Sequence, residues 1–480
     1  LDSHLRRTKI VCTIGPATSS EDKIADLIAA GMNVARLNFS HGSHADHAAV
    51  IATIRRVSRK LAKPISILQD LQGPKIRTGT LAGGEGVMLK DRAAFTITTR
   101  DVEGTDQEVS TTYQGLPGDV KAGDKLLLDD GKLELQVEKV SGQDVVTRVV
   151  RGGLLKEHKG INLPGVLVNI PSLTEKDRED LVFGVAQGVD YVAISFVRRP
   201  EDIATVKRAL VEIDPNSAKL PIIAKLEKPA ALDNLEAILQ VSDGVMVARG
   251  DLGVELSPQQ VPTAQKRIIE AANRQRKIVI TATQMLESMI TSPLPTRAEA
   301  SDVANAIYDG SDAVMLSGET AAGQYPIEAV RMMVAIIKEA EGHIEEWGRW
   351  KGVSEATSDD SVALARAARE LANDRNVTAI AIFTLTGRNA RIMSKARAAV
   401  PILAFTPDPK TYQRLPLLWG VTPYLIPQAD TVEAMLAHVE AGMLYDSPVQ
   451  AGQQVIIIAG LPPSKMVPAN FILLHTVGRS

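Results

Sequence analysis

What most constrains this chain is a repeat of short apolar runs. They fall at residues 9–14, 33–39 and 64–70, then again at 191–196, 221–227, 244–251, 277–283 and 313–317. Helix-spaced segments alternate with them, for example 21–30, 44–61 and 174–187, the last with acidic residues in its first turn. Apolar runs of that length between amphipathic helices predict buried parallel strands in βαβ units. About eight such units predict an α/β fold of the (β/α)8 TIM-barrel type. An open doubly wound sheet is the alternative, but no run reads as an antiparallel edge.

The repeat is interrupted once. Between 74 and 171 the helical period vanishes, and short alternating runs appear at 94–99, 108–113, 125–128, 133–140 and 144–150. Gly83-Gly84, Asp130-Gly131 and Gly152-Gly153 divide them, which predicts an inserted small β-barrel domain. Residues 341–360 are polar and carry two of the three tryptophans, as a connecting segment would. A second α/β set follows, with strands expected at 378–384, 401–405, 421–426, 455–459 and 471–477. That set predicts a C-terminal doubly wound α/β domain. The expected division is a barrel domain A at 1–73 and 172–340, a lid domain B at 74–171, and domain C at 341–480.

Composition narrows the function. A formal charge of −3 and 4% aromatic residues argue against nucleic-acid binding, and no apolar run reaches the length of a membrane helix. Cys12 alone cannot form an internal disulfide, and residues 1–7 lack the apolar core of a secretory leader. A cytoplasmic protein acting on small molecules is the expectation.

Parallel barrels place their chemistry at the carboxyl ends of the strands. Six of the runs end in polar residues: Arg36 to His41, Asp70 with Arg77 beyond it, Lys225 and Glu227, Arg249 to Asp251, Thr281 to Gln284, and Ser317 to Glu319. Glu227 and Asp251 are expected on neighbouring strands about 5 Å apart, where two carboxylates share a proton or bind a hard cation. Lys225 lies two residues before Glu227 and so points the same way. An ammonium beside paired carboxylates suits phosphoryl or enolate chemistry, and a structural Lys–Glu ion pair remains the plain alternative. Gly250 permits close backbone approach, and Thr283 adds a hydroxyl.

These residues stand in stretches that resemble the pyruvate kinases: 8–18, 35–42, 159–165, 247–255, 282–289, 295–299 and 314–320. The resemblance implies transfer of a phosphoryl group from phosphoenolpyruvate to ADP, giving pyruvate and ATP. Position by position, it implies that Lys225 stabilises the transferring group and the enolate. Arg36 reaches the phosphoryl group, and Gly250, Asp251 and Thr283 line the substrate site, with Thr283 on the path that protonates the enolate. Glu227 and Asp251 would hold Mg2+ or Mn2+. His41, Arg77 and Lys159 would contact nucleotide phosphates, Lys159 from the lid.

K+-dependent members hold that ion with residues matching Asn38, Ser40, Asp70 and the carbonyl at Leu71. Here Lys75 stands where those members carry Glu, so the resemblance implies a branch that works without K+, with Lys75 as internal cation. In domain C, Thr384, Thr386, Gly387 and Arg388 join a strand end to a helix start, a pattern that suits an anion. The resemblance makes it a site for a phosphorylated effector. The loop 461–470 carries Pro462-Pro463 and is set aside from that site. A homotetramer is the family's usual assembly. A Mg2+-dependent aldolase or lyase acting on 2-oxo acids, or a non-catalytic sugar-phosphate sensor, would be the competing functions.

Overall fold

The computed structural model describes residues 6–166, 168–350 and 357–478. The opening residues on which the leader reading partly rests, and part of the connecting segment, lie outside the described residues.

Eight parallel strands close into a barrel. In order around it run Lys9–Thr13, Ala313–Leu316, Ile278–Ala282, Gly244–Ala248, Ile222–Leu226, Tyr191–Ile194, Ser66–Asp70 and Val34–Asn38. The open-sheet alternative is therefore excluded. Alternation sorts the side chains: Ile10 and Cys12 pack outward with the surrounding helices, while Val11, Val34, Leu68 and Met246 fill the interior. Helix ends follow local sequence rules. Ser43 with Asp46 and Thr174 with Asp177 form capping boxes, and Gly188 ends its helix at φ 67°.

One boundary differs from expectation in a way that matters. The sixth barrel strand stops at Ala248, and Arg249–Glu255 is a helix. Arg249 causes the turn by reaching sideways to the carbonyls of Ala282 and Thr283, at 3.3 and 2.8 Å, and to Asp302. Asp251 therefore sits in the first turn of a helix and not on a strand end.

The insertion contains a six-stranded sheet, ordered Ile161–Asn162, Lys125–Leu128, Leu133–Ser141, Asp144–Arg151, Ala94–Thr98 and Glu108–Ser110. Its two edges are stitched together by isolated bridges from Arg77 to Gly160 and from Thr78 to Thr111, which close the small barrel. A short helix, Leu116–Asp119, stands where none was expected, started by Pro117 in its first turn.

The C-terminal sheet is ordered Val421–Leu425, Ile402–Thr406, Ala379–Phe383, Gln454–Ala459 and Phe471–Thr476, the last strand antiparallel. It docks under the amino ends of the barrel strands. Lys9 Nζ, Ser66 Oγ and Tyr191 OH each donate to a backbone carbonyl of that domain, at Val421, Gln413 and Arg414, over 2.8, 2.6 and 2.8 Å. Barrel-interior residues and domain C residues form one continuous apolar cluster. With the floor covered, the carboxyl ends of the strands are left for chemistry.

Candidate active site

The mouth is built from strand ends because alternation aims Arg36, Asp70 and Lys225 into the barrel above the apolar layer of Val34, Leu68 and Ile223. Asp70, 1% exposed, is their hub. Arg36 Nε and Nη2 both lie 2.7 Å from its Oδ2, and Lys225 Nζ lies 3.3 Å from its Oδ1. Arg36 also donates to Thr13 Oγ1 at 3.0 Å. Lys225 Nζ stands 2.9 Å from Glu227 Oε1, and Phe196 N donates to Glu227 Oε2 at 2.7 Å.

Burial would raise the Asp70 carboxyl's pKa, but the charges of Lys225 and Arg36 outweigh it and hold the group below the usual range. Burial pulls the Lys225 ammonium down, yet Asp70 and Glu227 outweigh that and push it above the ordinary lysine value. Glu227 goes the other way. Burial raises it, Lys225 lowers it, and the nearby Asp251 charge raises it again. The mouth thus sets two cations, Arg36 and Lys225, against three carboxylates, Asp70, Glu227 and Asp251.

That surplus is the test for a metal. Among the described residues no cluster of three or more His, Cys, Asp or Glu side chains forms a complete protein cage. Two buried carboxylate oxygens, Asp70 Oδ1 and Glu227 Oε1, lack a hydrogen-bond partner although both face Lys225. Glu227, with that spare oxygen and the Asp251 carboxylate close enough to raise its pKa, fits a hard divalent cation such as Mg2+, which keeps water or substrate oxygens in its other positions.

The Arg249–Glu255 helix is held against the seventh strand. Gly250 N donates to Thr283 Oγ1 at 2.8 Å, and that hydroxyl gives its own proton to Ala282 O at 2.6 Å. Thr283 has φ 69°, a strained setting for a β-branched residue, kept in place by Arg249 on its carbonyl. A Cβ on Gly250 would meet Thr283 Oγ1 at 3.5 Å, an ordinary contact. The fold itself does not demand glycine there, so its absent side chain leaves room in the mouth.

The expected nucleotide residues divide between two elements. His41 is exposed on the barrel rim, where His47 Nε2 donates to its carbonyl at 3.0 Å. Arg77 is bridged to Gly160 across the stitched edge of the lid, Lys159 N donates to Thr78 Oγ1 at 2.9 Å one position further on, and Lys159 Nζ is paired with Asp129 at 2.8 Å. At the expected monovalent-cation position, Asn38 Oδ1 accepts from Ser40 N at 3.2 Å and the Leu71 carbonyl accepts from Ser195 Oγ at 2.8 Å. Lys75 forms no ion pair with Asp70. Its Cε packs along the lid backbone, 3.3 Å from where a Gly160 Cβ would stand.

Sequence reasoning finds the fourth strand but misses the residues that end it. Ser195 and Phe196, at its end, hold Lys225 and Glu227 respectively. The available signal was Ser195 following the inward series Tyr191 and Ala193. It missed Glu255 too, which accepts from Asn162 of the lid at 2.9 Å and pairs with Lys228.

In domain C, Thr384, Thr386 and Arg388 line a cavity of about 200 Å3, with Gly387 as the N-cap of helix Arg388–Ala396. Thr384 Oγ1 accepts from Gly387 N at 3.0 Å. Arg388 is turned to Asp359 and Ser361, at 2.6 and 2.9 Å. The loop that was set aside returns here: Pro463, Lys465 and Met466 form the opposite wall. The reason is topological. The cavity opens where the strand order reverses between Ala379–Phe383 and Gln454–Ala459, and both following loops must meet there.

Comparison with known proteins places this geometry. The chain matches the family models described as pyruvate kinase, barrel domain, over residues 5–330, and pyruvate kinase, alpha/beta domain, over residues 362–475. It is 47% identical to a pyruvate kinase of Staphylococcus saprophyticus over 480 residues, covering 99% of this chain and 81% of that relative. A pyruvate kinase of Corynebacterium efficiens is 44% identical over 473 residues, 98% of each chain. The crystal structure of a pyruvate kinase from Cryptosporidium parvum superposes with a TM-score of 0.90 at 36% identity, covering 99% and 97% of the two chains. With its barrel and its C-terminal domain both matched, and relatives aligned along nearly its whole length, the chain belongs to the pyruvate kinase family of phosphotransferases.

Proposed function

We propose that the mouth carries the family's reaction with these residues in these roles. The phosphorus–oxygen bond of phosphoenolpyruvate breaks, a new one forms to the terminal oxygen of ADP, and the enolate left behind takes a proton to become pyruvate. The observation that carries the reading is the buried Lys225 ammonium among Asp70, Glu227 and Ser195. It sets fixed positive charge where negative charge develops. Arg36 orients the phosphoryl group from the other side of Asp70. The Gly250 backbone and Thr283 hydroxyl receive the substrate carboxylate, and Thr283 leads a proton toward the enolate.

Glu227 and Asp251 would hold Mg2+, which supplies further positive charge to the oxygens of the reacting group. His41 from the rim and Arg77 with Lys159 from the lid receive the nucleotide phosphates. Asp129 keeps Lys159 oriented until they arrive. Closing the lid excludes water and favours transfer over hydrolysis. ATP formation from phosphoenolpyruvate and ADP, dependent on Mg2+ and run without K+, tests the whole reading. No ATP refutes it, while a collapse that added K+ restores refutes only the K+-independent part.

A phosphorylated activator is proposed for the cavity at Thr384, Thr386, Gly387 and Arg388. First-turn amides of a nine-residue helix favour an anion there, and Lys465 adds a cation. The bound anion would draw Arg388 from Asp359. Substituting Arg388→Ala should abolish activation by AMP or sugar phosphates and leave the unactivated rate intact; retained activation refutes the site. A homotetrameric assembly and a cytoplasmic location complete the proposal. No helix among the described residues is long and apolar enough to cross a membrane. Sedimentation tests the tetramer.

A further inference from the structure

The Lys225 ammonium has three N–H donors, and three acceptors surround it. They are Ser195 Oγ at 2.8 Å, Glu227 Oε1 at 2.9 Å and Asp70 Oδ1 at 3.3 Å. The two carboxylates attract charge from many directions, and neither of these two oxygens makes a well-aligned hydrogen bond. Ser195 is different. Its hydroxyl proton is committed to the Leu71 carbonyl at 2.8 Å, so toward Lys225 it can only accept, along a fixed lone pair.

The serine is itself immobilised. It is 4% exposed, and a Cβ on Gly73 would come within 2.9 Å of the Ser195 Cβ. Only glycine, here at φ 68°, lets the 71–73 segment lie directly on it. Strand alternation then aims the hydroxyl inward, after Tyr191 and Ala193. A continuous path runs from the end of the third strand through Leu71 and Ser195 to the lysine on the fifth.

We propose that Ser195 is a positioning residue for phosphoryl transfer: its hydroxyl, locked by the Leu71 carbonyl, sets the direction of the Lys225 ammonium. It is also the neutral acceptor of the three. It therefore gives up its N–H most readily when a substrate oxygen enters, while the carboxylates keep the charge in place. The proposal rests on the reading of Lys225 as the residue that stabilises the transferring group.

Steady-state kinetics with phosphoenolpyruvate, ADP and Mg2+ on Ser195→Ala, Ser195→Thr, Ser195→Cys and Lys225→Met test it, with melting temperatures measured alongside. A misaligned ammonium weakens the transition state more than the ground state. Ser195→Ala should therefore lower kcat about ten- to a hundredfold with KM for phosphoenolpyruvate changed less than about threefold. Ser195→Thr, which keeps the hydroxyl, should return most of the rate. If the alanine variant does not fold, Ser195→Cys, similar in size and a poor acceptor, takes its place with the same expectation. A wild-type kcat in the alanine or cysteine variant, with Lys225→Met inactive, overturns the proposal and leaves the lysine's role standing. So does a change confined to KM. Activity in Lys225→Met overturns the proposal together with the reading beneath it.

Discussion

At the mouth of the barrel, Asp70 lies buried between Arg36 and Lys225; at the floor, Asp312 lies buried between Lys395 and Arg397. The residue types are the same, and their surroundings separate them. At the mouth Glu227 and Asp251 add negative charge, so Lys225 is held above the ordinary lysine value. At the floor one carboxylate serves two cations. Burial dominates, Asp312 offsets only part of it, and Arg397 adds to the effect, so Lys395 is lowered to about 8.

The hydrogen bonding differs in the same sense. Asp312 spends Oδ2 on Lys395 and Val279 N and Oδ1 on Arg397, and Lys395 also donates to Asn273. Asp70 Oδ1 and Glu227 Oε1 meet only the Lys225 ammonium, as ion pairs at 3.3 and 2.9 Å. The Asp312 carboxylate is fully bonded, although Arg397 Nε is not, and the cluster joins the barrel to the C-terminal domain. The mouth carries more carboxylates than cations, and the proposed metal and substrate roles rest on that surplus.

The sharpest way to break this contrast is to remove one charge from each end. Glu227→Gln should lower kcat/KM about a hundred- to a thousandfold and raise the Mg2+ needed for half-maximal rate, with little loss of thermal stability. A rate unchanged in a Mg2+ titration would mean that the surplus carboxylates at the mouth are structural. Asp312→Ala should do the reverse. It leaves Lys395 and Arg397 buried without a counter-charge, which costs on the order of 3–5 kcal/mol in denaturant unfolding. The rate per folded molecule should stay within about twofold of wild type, since the floor touches no reactant. An equal loss of rate and stability would show the two ends to be coupled.

The smallest effect sharpens the contrast through pH. The folded chain holds Lys395 near 8, below the unfolded value of 10.5. Between those values the unfolded chain binds more protons, so this group makes stability rise as pH climbs through that window. Lys395→Met should flatten that part of the rise, read as the difference in urea midpoints at pH 8 and pH 10. An identical slope in the two proteins would return Lys395 to an ordinary lysine.

Much of this molecule was legible beforehand, and the parts that were not share a cause. The eight barrel strands were found because a strand buried on both faces needs an apolar run, and the run is local. The sixth strand was drawn too long because Arg249 bends the chain by bonding carbonyls some thirty residues ahead, at Ala282 and Thr283. Lys225 and Glu227 were paired correctly because a spacing of two on one strand sets their faces. Ser195 escaped notice because its meaning depends on strands three and five, which are remote in sequence. Lys465 was set aside with its loop because only the strand order brings that loop to Thr384.

The sequence by itself determined the alternation of strands and helices, the interruption after the third strand, the helix caps and the residue types at the strand ends. Each of these follows from periodicity or from hydrogen bonds between near neighbours. Only the tertiary structure decided which acceptors surround Lys225, that Lys75 packs along the lid backbone without pairing to Asp70, and which barrel end the C-terminal domain covers. Those outcomes depend on strand pairing, which sets the third strand beside the fourth across the inserted domain and brings segments more than a hundred residues apart into hydrogen-bond distance, as between Ser195 and Leu71. Local pattern chooses the elements, and burial of unlike charges between them chooses the site.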